Sequence, residues 1–213
     1  YFSATFDSNA NKVVIAYRDD GNSSYGTAIV GTVSGTDISF GSAATFISSR
    51  ADEIAATFDS NANKVVISFA DDNNSQKGKA VVGTVSSTSI SFGSAVLFNN
   101  GGTKITSVIY DTSASKVVIA YEDDGNSGHG TFVLGTVSGT SISFGSETVF
   151  NTATTNELST VFDSNLSRVV IVYRDEGNSN YGTSIVLRNA STSINLTSEN
   201  FIGFAHAAYA DGQ

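Results

Sequence analysis

Phe6-Asp7-Ser8-Asn9-Ala10-Asn11-Lys12-Val13-Val14-Ile15 returns almost unchanged from Phe58, and again in the stretches opening Tyr110-Asp111-Thr112 and Phe162-Asp163-Ser164. From Phe6 to Phe58, and at each later recurrence, the step is 52 residues. Val30-Gly31-Thr32-Val33-Ser34 recurs at Val82 and Leu134, and Ile38-Ser39-Phe40-Gly41-Ser42 at Ile90 and Ile142, with the same step. Self-similarity at a fixed period marks a tandem-repeat architecture, in which each unit buries its apolar surface against its neighbours.

Within one period the apolar residues alternate in short runs broken by turn formers. In the second repeat the strand-like segments are Glu53–Phe58, Lys64–Ala70, Lys79–Val85 and Ile90–Phe98. They are separated by clusters of Asp, Asn, Gly and Ser, residues that favour turns. No helical apolar period of useful length occurs. In Lys64–Ala70, Val65, Ile67 and Phe69 face one way, and Val66 and Ser68 the other. The counterparts of Ser68 are Ala16, Ala120 and Val172, all small or apolar. Both faces therefore suit burial, whereas a half-solvated sheet alternates with polar residues. Four antiparallel strands in about 40–50 residues make one blade of a β-propeller.

The expectation is an all-β propeller of four blades, at about 1–52, 53–104, 105–156 and 157–204, with a connector at 205–213. The blades form a ring of four or part of a larger ring. A 52-residue period is about half an immunoglobulin-like sandwich, and a β-solenoid is the competing repeat architecture. The fourth repeat departs from the pattern: Leu187-Arg188-Asn189-Ala190-Ser191 replaces Gly-Thr-Val-Ser-Gly, and Leu196-Thr197 replaces Phe-Gly. The first repeat shows no such decay, so further blades upstream, or a second copy, are expected to complete the ring. The absence of Met reads as a processed product or a fragment.

Composition narrows the chemistry. Among 213 residues there are 20 Asp and Glu against 11 Lys and Arg, a net charge of −9. That balance argues against nucleic-acid binding, which needs clustered cations. No Cys is present and only two His, His129 and His206, which removes thiolate metal sites and His-rich zinc centres. No run reaches the length of a membrane-spanning helix. Abundant Ser, Thr, Asn and Gly fit an extracellular or virion-surface protein.

The candidate binding residues lie in the loop between second and third strands. It reads Arg18-Asp19-Asp20-Gly21-Asn22-Ser23-Ser24-Tyr25 in the first repeat and Ala70-Asp71-Asp72-Asn73-Asn74-Ser75-Gln76-Lys77 in the second. In the third it is Glu122-Asp123-Asp124-Gly125-Asn126-Ser127-Gly128-His129, and in the fourth Arg174-Asp175-Glu176-Gly177-Asn178-Ser179-Asn180-Tyr181. The frame is constant but two positions vary: Arg18, Ala70, Glu122, Arg174, and Tyr25, Lys77, His129, Tyr181. Variable tips on a rigid scaffold are a common way to build a binding surface. With the connectors Ile47–Asp52, Asn99–Lys104 and Asn151–Asn156, they would share one face and present aromatic and polar groups to a glycan or a surface protein.

The pairs Asp19/Asp20, Asp71/Asp72 and Asp123/Asp124, with Asp175, are also calcium candidates, since calcium takes about six to eight oxygen ligands. Their spacing does not match an EF-hand, and an Asp that bonds its own turn is the plainer explanation. Asp7, Asp59, Asp111 and Asp163 open turns of that kind. No enzyme is expected. Acids repeat in every unit, whereas Arg18, Glu122, His129 and Arg174, which break the symmetry, form no nucleophile–base constellation. No cofactor is implied.

Val-Val-Ile-Ala-Tyr-Arg-Asp-Asp-Gly-Asn-Ser, followed by Gly-Thr-Val-Ser-Gly-Thr-x-Ile-Ser-Phe-Gly-Ser, resembles a repeat of uncharacterised, repeat-rich proteins of aquatic phages and bacteria. Several of these look like tail-fibre or surface proteins. Glu199-Asn200-Phe201-Ile202-Gly203-Phe204-Ala205 and Ala208-Tyr209-Ala210-Asp211-Gly212 resemble the segment that follows such repeats. The Trp-Asp signature of the best-known propellers is lacking, and an Asp-box is only loosely suggested around Asp19–Thr27. The resemblance implies a place on a virion or cell exterior, as an adhesion module or as a structural part of a fibre, filament or virion.

Overall fold

The computed structural model describes residues 1–187 and the backbone of 201–203. The expected connector at 205–213 lies outside the described residues. The chain is all-β and antiparallel. Its strands are β1 (Phe2–Asp7), β2 (Lys12–Asp19), β3 (Tyr25–Ser34), β4 (Asp37–Phe40), β5 (Ala44–Asp59), β6 (Lys64–Asp71), β7 (Lys77–Ser86) and β8 (Ser89–Phe92). They continue as β9 (Val96–Asp111), β10 (Lys116–Asp123), β11 (His129–Ser138), β12 (Ser141–Phe144), β13 (Thr148–Asp163), β14 (Arg168–Asp175), β15 (Tyr181–Leu187) and β16 (Phe201–Gly203). Turns between first and second strands are fixed by one carboxylate. Asp59 Oδ1, for instance, accepts from the Asn61 and Ala62 amides at 3.0 and 2.9 Å, the bonding expected of an Asp turn.

Two features differ from the sequence reading. The segment read as one fourth strand, Ile90–Phe98, is broken at 93–95 into β8 and the start of β9. The connectors, which the sequence reading leaves outside the four strands, are themselves extended. Each of β5, β9 and β13 is a single strand of 16 residues serving two repeats. Ala44–Arg50 of β5 pairs with β3, and Ala51–Asp59 pairs with β6. The changeover falls at Glu53, Ile105 and Glu157, whose φ values are 50°, 48° and 49°. Left-handed backbone is costly for a side-chain-bearing residue, most of all for a β-branched one such as Ile105. Here it turns each strand so that its halves join different neighbours, and a register shift accompanies each turn.

Sharing these strands makes the hydrogen bonding continuous, in the order β1-β2-β3-β5-β6-β7-β9-β10-β11-β13-β14-β15-β16, with β4, β8 and β12 paired to β3, β7 and β11. This path is open. The closed ring of blades expected from sequence is not formed: among the described residues β1 and β16 are its two free ends.

The path also folds back on itself, because each repeat's apolar residues need cover on both sides. Val14, Ala16, Ala28 and Val30 of the first repeat pack with Val65, Ile67, Phe69 and Val81 of the second. Val66, Ala80 and Val82, from the other face of the second, pack with Val117, Ile119, Tyr121 and Val133 of the third. Val118, Ala120 and Phe132 of the third pack with Val169, Ile171, Tyr173 and Ile185 of the fourth. Aromatic pairs bridge each layer: Phe46–Phe69, Phe98–Tyr121 and Phe150–Tyr173, with centroids 5.2, 5.2 and 5.0 Å apart. First strands of successive repeats touch as well. The Ala56 amide donates to Ser3 Oγ at 3.0 Å, the Thr106 hydroxyl to the Glu53 carbonyl, and the Thr160 amide to Ser107 Oγ at 3.0 Å.

Candidate binding face

All four loops between second and third strands are built alike. The second strand ends in the acid pair, and the chain makes one tight turn, a 3-10 turn at Asp72–Asn74, Asp124–Asn126 and Glu176–Asn178. It then leaves through a left-handed serine: Ser75, Ser127 and Ser179 have φ of 57°, 59° and 55°. In the first repeat Ser23 and Ser24 take the same backbone, and the Asn22 amide donates to the Asp19 carbonyl at 2.9 Å.

The two acids of each pair have different surroundings. Asp71, Asp123 and Asp175 are buried, and each accepts a bond from the preceding repeat's last strand. Ser49 Oγ reaches Asp71 at 2.6 Å, Asn99 Nδ2 reaches Asp123 at 3.1 Å, and Asn151 Nδ2 reaches Asp175 at 3.2 Å. Lys79 Nζ adds an ion pair to Asp71 at 2.7 Å. These carboxylates latch one repeat to the next. Asp19, in the first repeat, is half-buried and accepts from the Gly21 amide of its own turn at 3.1 Å.

The second acids sit at the rim, facing cations and amides. Arg18 meets Asp20 at 2.7 Å and Asp52 at 2.7 Å, with its guanidinium 5.3 Å from the Tyr1 ring centroid. The Asp20 carboxyl is held below its ordinary value by the Arg18 hydrogen bond and then by Ser24. Arg50 lies 3.5 Å from Asp72, Lys104 lies 2.6 Å from Asp124, and Asn156 Nδ2 donates to Glu176 at 2.6 Å. Arg174 lies between Glu157 at 3.6 Å and Glu176 at 3.8 Å, and donates to Asn180 at 3.2 Å. Arg50, Lys104 and Asn156 come from the connectors, so strands and loops of neighbouring repeats meet on this face.

Asn22, Asn74, Asn126 and Asn178 are exposed at the tips. Tyr25, Lys77 and His129 are half-buried, and Tyr181 is exposed. Between the second and third repeats the face opens into a groove of about 400 Å³, bordered by Leu97, Asn100, Gly101, Asp123, Asn126 and Glu147. Its floor depends on two glycines in close approach: a Cβ on Gly125 would lie 2.7 Å from the Gly101 Cα. Tyr121, fully buried, donates its hydroxyl to Glu147 at 3.0 Å. Burial and the neighbouring Glu147 push the Tyr121 hydroxyl far above its ordinary value. A smaller hollow of about 250 Å³ lies beside Arg174, Asn180 and Glu157.

Glu147 and Leu97 were not singled out from the sequence. Glu147 carried a usable signal, since it stands where the first two repeats have Ala43 and Ala95. The calcium candidates Asp19, Asp20, Asp71, Asp72, Asp123, Asp124 and Asp175 are spread along the row. Among the described residues no three His, Cys, Asp or Glu side chains gather where they could hold a metal.

Glu122 is the buried acid that breaks the symmetry. It is 6% exposed, and burial raises its carboxyl, opposed by the Lys104 charge. A raised folded-state value means that the folded chain holds this proton more tightly than the unfolded one. The contribution to stability is therefore full below the ordinary carboxylate range and is lost as pH rises through the raised value. Glu122→Gln removes the buried charge. Its thermal midpoint should exceed the parent's by a few degrees at neutral pH, and the difference should shrink toward zero below about pH 4. Melting curves across that range check it.

No protein-family model matches the sequence, and no curated protein matches it.

Proposed function

We propose that the chain is a non-catalytic recognition module of an extracellular or virion surface, built from propeller-type blades. It binds a glycan or a surface protein through the loop tips of one face. The observation that carries this reading is the row of rigid turns on which residue identity changes from repeat to repeat. Tyr25, Lys77, His129 and Tyr181 occupy one position, and Arg18, Ala70, Glu122 and Arg174 the other. The latches Asn99–Asp123 and Asn151–Asp175 hold the turns against neighbouring repeats, and pre-organisation lowers the ordering cost of binding. The groove beside Asn100, Asn126 and Glu147 offers amides and a carboxylate next to the apolar Leu97, a mixture suited to a sugar's hydroxyls and its C–H face.

The repeats share one turn frame with differing tips, so binding is weak per tip and gains from engaging several tips at once. The test is a glycan array probed with the folded chain held as a multimer on beads. Asn126→Ala and Tyr181→Ala should each reduce the signal at least tenfold without lowering the melting point. No signal on broad glycan panels, together with no capture of an exterior protein, would remove the reading.

A second reading, a structural subunit of a fibre, filament or virion, is favoured by the apolar surface left open on the outermost repeats.

A further inference from the structure

We infer that the two outer faces of the stack are halves of one interface, and that copies of this chain associate head to tail through it. Strand parity defines the faces. Phe6, Val13, Ile15, Ile38 and Phe40 lie on the front of the first repeat, opposite the face that packs on the second repeat. In later repeats the corresponding side chains are covered by the preceding repeat. Val65, Val117 and Val169 are buried, as are Ile67, Ile119 and Ile171, whereas Val13 and Ile15 are only half-buried. Ile38 is 43% exposed but Ile90 5% and Ile142 3%. Phe40 is 49% exposed, while Phe92 and Phe144 pack into the first and second core layers.

The back of the fourth repeat shows the converse. Val172 is 37% exposed, where Ala16, Ser68 and Ala120 are fully buried against the following repeat. Val161, which pairs with Val170 on the same face, is 55% exposed. Open apolar faces of this kind mark interaction surfaces.

The occupant follows from the three interfaces already inside the chain, each of which joins the back of one repeat to the front of the next. The displacement that carries the third repeat onto the fourth carries the fourth onto the first repeat of a second copy. The polar contacts agree. Ser3 Oγ accepts from the Ala56 amide, and Ser107 Oγ from the Thr160 amide. One period on, Ser159 on the back and Ala4 on the front are both exposed, and they are the next such pair. The contact is heterologous: it uses two different surfaces, so it closes a ring of copies or extends into a filament.

Phe40→Asp disables the front and Val161→Asp the back, at sites 49% and 55% exposed in the isolated chain. Sedimentation velocity of the wild type through the micromolar range should show species of two or more copies growing with concentration. Each variant alone should stay monomeric with its melting point unchanged. An equimolar mixture of the two should give a 1:1 dimer, since one intact front and one intact back remain. Where a variant melts early, Ile38→Lys and Val172→Lys repeat the test at other points on the same faces. A wild type that is monomeric at every concentration would overturn the inference. So would a mixture that fails to dimerise, or one variant that still self-associates alone, the pattern of a symmetric front-to-front or back-to-back contact. Neither result depends on whether the loop face binds a glycan.

Discussion

Phe69→Ala should destabilise the chain by about 3–5 kcal/mol, the range for truncating a fully buried phenylalanine. Phe69 is 0% exposed, and its ring lies against Phe46 of the preceding repeat, in a layer that includes Val14, Val30 and Ile54. Removing it leaves Phe46 with Phe92, 5.7 Å away, as its remaining aromatic partner in the second repeat, and backbones held by ladders on either side cannot collapse fully into the space. Urea denaturation followed by circular dichroism measures the loss. Phe2→Ala is the control. Phe2 is 80% exposed on the outer face, and its removal from the isolated chain should change stability by less than about 0.5 kcal/mol. Equal effects at the two positions would mean that Phe69 is not between two sheets.

Gly93→Ala should be nearly as damaging, for a steric reason. A Cβ on Gly93 would lie 1.9 Å from the Thr140 carbonyl oxygen, in the β11–β12 turn of the following repeat. Gly41 makes the same approach to the Thr88 carbonyl, at 1.8 Å. Backbone meets backbone at both places, so no flexible side chain can yield and the repeats must separate. Overpacking of this sort costs about 1–3 kcal/mol or more, and each glycine substitution should also raise the rate of proteolysis at the β11–β12 or β7–β8 turn. Gly35→Ala supplies the comparison. Gly35 has φ +61° and nothing within 4 Å, so its cost is confined to backbone strain of about 1–2 kcal/mol and should leave proteolysis at those turns unchanged. Wild-type stability in Gly93→Ala would show that the second and third repeats do not approach at this margin.

The repeat, its strand content and the burial of both faces are legible in the sequence, because they depend on local periodicity. Val65-Val66-Ile67 alternates across a pleat wherever it occurs. What separates Val13 from Val65 cannot be read that way: the residues are identical and sit in the same local phrase, and only the presence of a preceding repeat differs. Ring closure is hidden for the same reason, since it depends on what meets the outer faces. The extended connectors are not legible because Ser48-Ser49-Arg50 has no apolar alternation, and Ser49 bonds Asp71 from an extended backbone.

Roles within the acid pairs were partly hidden too. Asp71 and Asp72 are adjacent and chemically alike, yet one is buried against Ser49 and the other faces Arg50 at the rim. Asn99 and Asn151, each 24 residues before the acid it serves, are a signal that comparing repeats can recover. Ile47 takes that position before Asp71, and there Ser49 provides the bond instead.

One engineered cross-link tests the stacking of the repeats directly. Ser107 Oγ and Thr160 Oγ1 are 2.8 Å apart, on the first strands of the third and fourth repeats. If the hydrogen-bonded path lay flat, β10 and β11 would intervene and these strands would stand about 14 Å apart, three strand spacings, beyond the reach of a disulfide. The chain contains no cysteine of its own, so Ser107→Cys with Thr160→Cys gives a single possible intramolecular bond. Mild oxidation of the double variant at high dilution should form it nearly completely, read as loss of both thiols without a change in sedimentation. Thiols that remain free in the folded monomer would contradict the stack.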